Sequence, residues 1–68
     1  MQYVIWSITF SKYYYEHYNG FDHFHNIEKA SYYSSREEAM LAVKRRPDPD
    51  SLIIYSIDEA IVAEIMRK

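Results

Sequence analysis

The stretch Tyr3-Val4-Ile5-Trp6-Ser7-Ile8-Thr9-Phe10 decides the fold. Val4, Trp6, Ile8 and Phe10 alternate with Tyr3, Ile5, Ser7 and Thr9, and the segment is rich in β-branched and aromatic residues. A period of two with that content predicts a strand whose even-numbered residues point inward. What pairs with this strand sets the rest of the architecture.

Nine residues further on, Asn19-Gly20 is the strongest short-range turn signal in the chain, because a type I′ hairpin turn needs positive φ at both central positions. A two-residue turn there pairs Tyr18 with Phe21, Tyr15 with Phe24, Phe10 with Lys29 and Trp6 with Tyr33. It also puts Val4, Trp6, Ile8, Ile27 and Tyr33 on one face. Such a ladder exceeds the usual strand of up to about ten residues, so a bulge or break is expected between Ser11 and Tyr15. The alternative is a loose loop from Lys12 to His25.

Beyond the hairpin the period changes. Ser35, with Glu38 three residues on, predicts a capping box and the start of a helix. Ala39, Met40, Ala42 and Val43 form the apolar side of that helix. Lys44, Arg45 and Arg46 sit in its last turn, where cations meet the negative end of the helix dipole, and Pro47 stops it. Ser51-Leu52-Ile53-Ile54-Tyr55-Ser56-Ile57 is nearly continuous in large apolar residues, which predicts a strand buried on both sides, at or near the centre of the sheet. Asp58, or Ser56 paired with Glu59, opens a final helix with Ile61, Val62, Ile65 and Met66 on one stripe. The expected class is α+β, in the order β-β-α-β-α. One domain over 1–68, without a linker, carries a three-stranded antiparallel sheet of order 2-1-3 packed by one or two helices.

Composition excludes whole classes of function. A chain of 68 residues and 8.2 kDa buries only about 60% of its extended surface, which leaves room for a single small core. At 49% hydrophobic residues it is too apolar for a disordered chain, and its longest apolar run is too short to span a bilayer. No signal peptide is visible, and without cysteine there is no disulfide, thiolate zinc site or thiol nucleophile, which points to the cytosol (the host's, for a viral protein). Ten acidic against eight basic residues give a net charge of −2 with the signs interspersed, a poor footprint for a duplex-binding protein.

Three constellations carry possible chemistry. His17, His23 and His25 lie around the turn with Glu16 and Asp22. His23 and His25 share a strand face, with Glu16 expected opposite His23, yet no established zinc motif has this spacing. No metal or cofactor is assigned. Catalysis lacks support, because one glycine rules out a glycine-rich phosphate loop and no nucleophile elbow is present. The aromatic block is the outlier. Of twelve aromatic residues, eight fall between Tyr13 and Tyr33, in a hairpin of about 12–33.

Consecutive tyrosines cannot all face one core, so Tyr13, Tyr14, Tyr15, Glu16, Tyr18, Phe21, Asp22 and Phe24 are the expected partner-binding surface, with Tyr rings suited to interfaces. The expected function is a non-enzymatic protein–protein contact module, a small regulator or inhibitor. Phages and mobile elements encode such proteins to block a host enzyme or defence complex. Two alternatives remain: a single-stranded nucleic-acid binder using the aromatic face, or a dimeric structural subunit joined through Ile61, Val62, Ile65 and Met66. Nucleic acid is disfavoured because only Lys12 and Lys29 lie in the block, against Glu16, Asp22 and Glu28.

Overall fold

The computed structural model describes residues 1–16 and 22–67, with Asp22 and His23 described in backbone only. The Asn19-Gly20 turn, with His17, Tyr18 and Phe21, lies outside the described residues, as does Lys68. The chain runs β1 (Tyr3–Ser7), β2 (Lys12–Glu16), β3 (Asp22–His25), a 3₁₀ turn (Ile27–Lys29), α1 (Arg36–Lys44), a second 3₁₀ turn (Pro49–Ser51), β4 (Leu52–Ser56) and α2 (Ile57–Met66). The sheet is antiparallel in the order β3-β2-β1-β4. The class is α+β, with four strands where the pattern predicts three.

The extra strand arises because the opening segment stops early. Ser7 accepts the Phe10 N–H on its hydroxyl (3.1 Å) and the Ser11 N–H on its carbonyl (2.9 Å), which turns the chain back on itself. Trp6 then pairs with Tyr13 and Ser7 with Lys12. Ile8 and Phe10, expected inward, are instead 56% and 53% exposed. The turn closes with Ser11 at φ 54°, a left-handed conformation that costs a residue with a Cβ about 1 kcal/mol or more. Replacing Ser11 with Gly removes that strain at the expense of a freer unfolded chain, so Ser11→Gly is expected to gain about 0.5 kcal/mol. Urea unfolding checks it; a lower midpoint would show that the Ser11 side chain is needed in this turn.

In the second hairpin Tyr13 pairs with His25, Tyr14 with Phe24, Tyr15 with His23 and Glu16 with Asp22. This is one residue away from the register of a two-residue turn, and residues 17–21 connect the last paired positions. A one-residue slip moves every side chain to the opposite face. Tyr15 therefore does not face Phe24, nor Glu16 His23. Tyr33 lies across from Tyr3 rather than Trp6, with backbone bonds of 2.8 and 2.9 Å in the two directions. Ile27 and Tyr33, expected on one face, fall on opposite faces: Tyr33 packs with Ile5, Ile27 with Val4.

Both faces of the sheet are covered. On one, Ile5, Tyr14, Tyr33 and Leu52 pack with Ala39 and Ala42 of α1. On the other, Val4 and Tyr13 pack with Ala30 and with Ala60 of α2. Val4 and Ile5 are both fully buried, as the adjacent residues of an interior strand must be when helices lie on each side.

β4 is the antiparallel neighbour of β1, in register from Tyr3↔Ser56 to Ser7↔Leu52. It is an edge strand and not a central one, because β2 occupies the other side of β1, and Ile53 is accordingly 36% exposed. At the start of α1 the Glu38 N–H donates to Ser35 Oγ (3.2 Å), but the Glu38 carboxylate accepts from Ser34 rather than Ser35, so the expected capping box is only half formed. The second box is complete. Ser56 Oγ accepts the Glu59 N–H (3.2 Å), and Glu59 Oε1 accepts the Ser56 N–H (2.8 Å). Among the described residues, no helix is long and apolar enough to cross a membrane.

Candidate protein-contact surface

Side-chain positions divide the aromatic block. Tyr13 is 1% and Tyr14 4% exposed, so both belong to the core and neither forms the contact surface expected of them. The reason is that β2 is an interior strand beneath two layers, so its odd- and even-numbered rings each find a hydrophobic cluster. Burial raises both phenols above their ordinary pKa. Glu16 is exposed, yet its carboxylate accepts from the Tyr33 hydroxyl (3.3 Å) and pairs with Arg45 at 3.9 Å. Burial, reinforced by that carboxylate, pushes the Tyr33 phenol up to about 12.

Tyr15 and Phe24 remain half-buried on opposite faces of the hairpin. Tyr15 sets its ring against His25, edge to face, at 5.4 Å. Phe24 stacks on Phe10 at 4.6 Å and lies beneath the Arg46 guanidinium at 5.2 Å. Tyr18, Phe21 and the Asp22 side chain lie outside the described residues, as do His17 and the His23 side chain. Among the described residues no three His, Asp or Glu side chains converge as a metal site would require.

A cleft of about 230 Å³ opens where the C-terminal end of α2 meets β1 and β2. Its walls include Trp6, Lys12, Tyr13, His25, Glu64 and Arg67. Arg67 lies 3.6 Å from the centre of the Trp6 ring, and its guanidinium pairs with Glu64. Both groups meet the Tyr13 hydroxyl, which donates to Glu64 (3.0 Å) and accepts from Arg67 (3.3 Å). The guanidinium and carboxylate thus satisfy one another and clamp the end of α2 onto the sheet. This contact joins residues at opposite ends of the chain, and no spacing in the sequence announces it.

The outward side of α2 is different. Its inward side carries Ala60, fully buried, with Ile57, Glu64 and Arg67 at helical spacing. Ile61, Val62, Ile65 and Met66, the stripe expected to bury itself on the sheet or in another chain, are 48%, 58%, 65% and 79% exposed. Small residues pack inward and large aliphatic ones face out, the reverse of an ordinary surface helix. Exposed apolar residues scattered singly are normal on a folded protein, whereas four on one face of a ten-residue helix make a patch. No protein-family model, curated protein or solved structure matches the chain. Fold and surface together define a small α+β protein with an unpartnered apolar helix.

Proposed function

We propose that this chain is a non-enzymatic protein–protein contact module that acts by occupying a surface of its partner, and that the outward face of α2 is its principal contact. The observation that supports this reading is the exposure of Ile61, Val62, Ile65 and Met66 together on a helix whose packing on the sheet needs only its other side. Burying a large aliphatic side chain is worth about 1.5–3 kcal/mol, so these residues hold enough unspent hydrophobic free energy for specific association. The hairpin contributes a smaller part than its tyrosines suggest, because Tyr13 and Tyr14 are committed to the core. Tyr15, Phe24 and Tyr32, the last 44% exposed, are the remaining ring surface among the described residues of the aromatic block. A regulator or inhibitor working in the cytosol, where a chain without disulfides folds unaided, fits this composition.

Ile61→Glu combined with Ile65→Glu places two carboxylates in the patch and is expected to abolish retention of partner by the tagged protein. The comparison is made against wild type at equal folded concentration, with nuclease present. Equal retention by both proteins, or retention by wild type that vanishes with nuclease, would sink the reading, the latter in favour of single-stranded nucleic acid.

A further inference from the structure

Apart from the contact face of α2, we infer that the cleft at the C-terminal end of that helix binds a small aromatic phosphate ester. Charge selects an anion. Lys12 and Arg67 against Glu64 give the cleft walls a formal charge of +1 with His25 counted neutral, on a chain that carries −2 overall. Glu64, the one carboxylate among the described residues of the wall, is bound to Arg67 and accepts from the Tyr13 hydroxyl, so its charge is largely compensated. Lys12 is placed differently. Its exposed ammonium donates to Asn26 Oδ1 at a long 3.4 Å and has further N–H groups to offer a ligand. A lysine ammonium binds phosphate as a point charge, and the Ser11 hydroxyl and the Asn26 amide place neutral donors on the same cleft.

Shape selects the rest of the ligand. Trp6 and Tyr13, edge to face at 4.8 Å, form an apolar wall suited to an aromatic body behind the anionic head. Drug-sized ligands occupy about 300 Å³ or more, so a cleft of about 230 Å³ suits a smaller one, of the size of phenyl phosphate. Ser11 supplies an independent sign. It lines the cleft at φ 54°, a conformation that glycine would adopt without strain. A residue held in strain at a cost to stability is the kind of outlier found at ligand sites, and the hydroxyl is what glycine would forfeit there.

Trp6 is the chain's single tryptophan, so its fluorescence reports on the cleft directly. Titrating wild type with phenyl phosphate in a phosphate-free buffer should give a saturable change, with a dissociation constant on the order of 1 mM for a ligand of this size. Lys12→Gln should weaken binding about tenfold or more, and Ser11→Gly severalfold even as its urea midpoint rises. Lys29→Gln, which removes an exposed cation outside the cleft, should leave the affinity unchanged. Inorganic phosphate and phenol, titrated separately, should each bind more weakly than phenyl phosphate. The absence of saturation up to about 20 mM phenyl phosphate, or equal affinity in Lys12→Gln and wild type, overturns the site. Inorganic phosphate binding as tightly as the ester overturns the aromatic part of the ligand, and phenol doing so overturns the anionic part.

Discussion

Tyr14→Ala is expected to unfold the domain or bring it to the edge of unfolding, while Tyr15→Ala, one residue away, costs about 1 kcal/mol. Tyr14 is 4% exposed and packs with Ile5, Tyr33, Ala39, Ala42 and Leu52 beneath α1. Its ring also lies 5.9 Å from Phe24 and under the Arg46 guanidinium at 5.5 Å. Truncating a buried aromatic ring to Ala costs about 3–5 kcal/mol through lost transfer free energy and the cavity left behind. A domain of this length holds only about 3–10 kcal/mol in all. Tyr15 is half-buried, with a histidine ring against it, and its removal opens no enclosed void. Urea unfolding followed by near-ultraviolet circular dichroism compares the two variants. A folded Tyr14→Ala protein that has lost less than about 1 kcal/mol would show that β2 is not an interior strand.

Alkali is expected to unfold the protein over a window set by its buried phenols. Tyr33 is held up to about 12, first by burial and then by the Glu16 carboxylate beside it, and burial also raises Tyr13 and Tyr14. In the unfolded chain a tyrosine ionises near pH 10. Between about 10 and 12 the folded state therefore keeps protons that the unfolded state releases, so stability falls as pH rises. The contribution is fully present below about pH 10 and is lost by about pH 12. For Tyr33 alone the two-unit gap is on the order of 2–3 kcal/mol. Tyrosinate absorbance followed alongside far-ultraviolet circular dichroism should show a late group of tyrosines that ionise only as helix and sheet disappear. Tyr33→Phe should flatten the fall. Ionisation of every tyrosine near pH 10 with the fold intact would contradict the burial described for these rings.

Local signals carried much of the fold in the sequence. The reciprocal bonds of Ser56 and Glu59 depend on a few neighbouring residues, so spacing alone predicts them, whereas α1 ends at Lys44, short of the Arg45, Arg46 and Pro47 expected to close it. The pairing of β4 with β1 was legible too, since a short crossover returns the chain beside its first strand. Features set by tertiary context are not legible in this way. Ser7 ends β1 by bonding Phe10 and Ser11, a choice between ladder and turn that alternation cannot show, because Ile8 and Phe10 continue the period of two. The register of β2 against β3 is one residue away from that of a two-residue turn, and such a slip decides which side chains of the two strands lie opposite one another.

Burial of Val4 and Ile5 side by side shows why alternation assigns too much of the aromatic block to the surface. With helices on both faces, adjacent tyrosines such as Tyr13 and Tyr14 can each be interior, whereas a sheet covered on one face forces one of them out. The stripe of Ile61, Val62, Ile65 and Met66 was visible at once as helical spacing, but spacing alone does not say which side of a helix meets the sheet. The fully buried Ala60 and the grip of Arg67 on Trp6 settle that orientation.

The central feature of the molecule is the large apolar face of α2 that the fold itself does not use. Its most direct test is the unfolding free energy of Ile61→Glu/Ile65→Glu against wild type, measured in urea on dilute protein. Substitution at exposed positions of a monomer leaves stability within about 0.5 kcal/mol of wild type, and that is the predicted result. A loss of about 3 kcal/mol or more, the signature of carboxylates forced into a core, would contradict it.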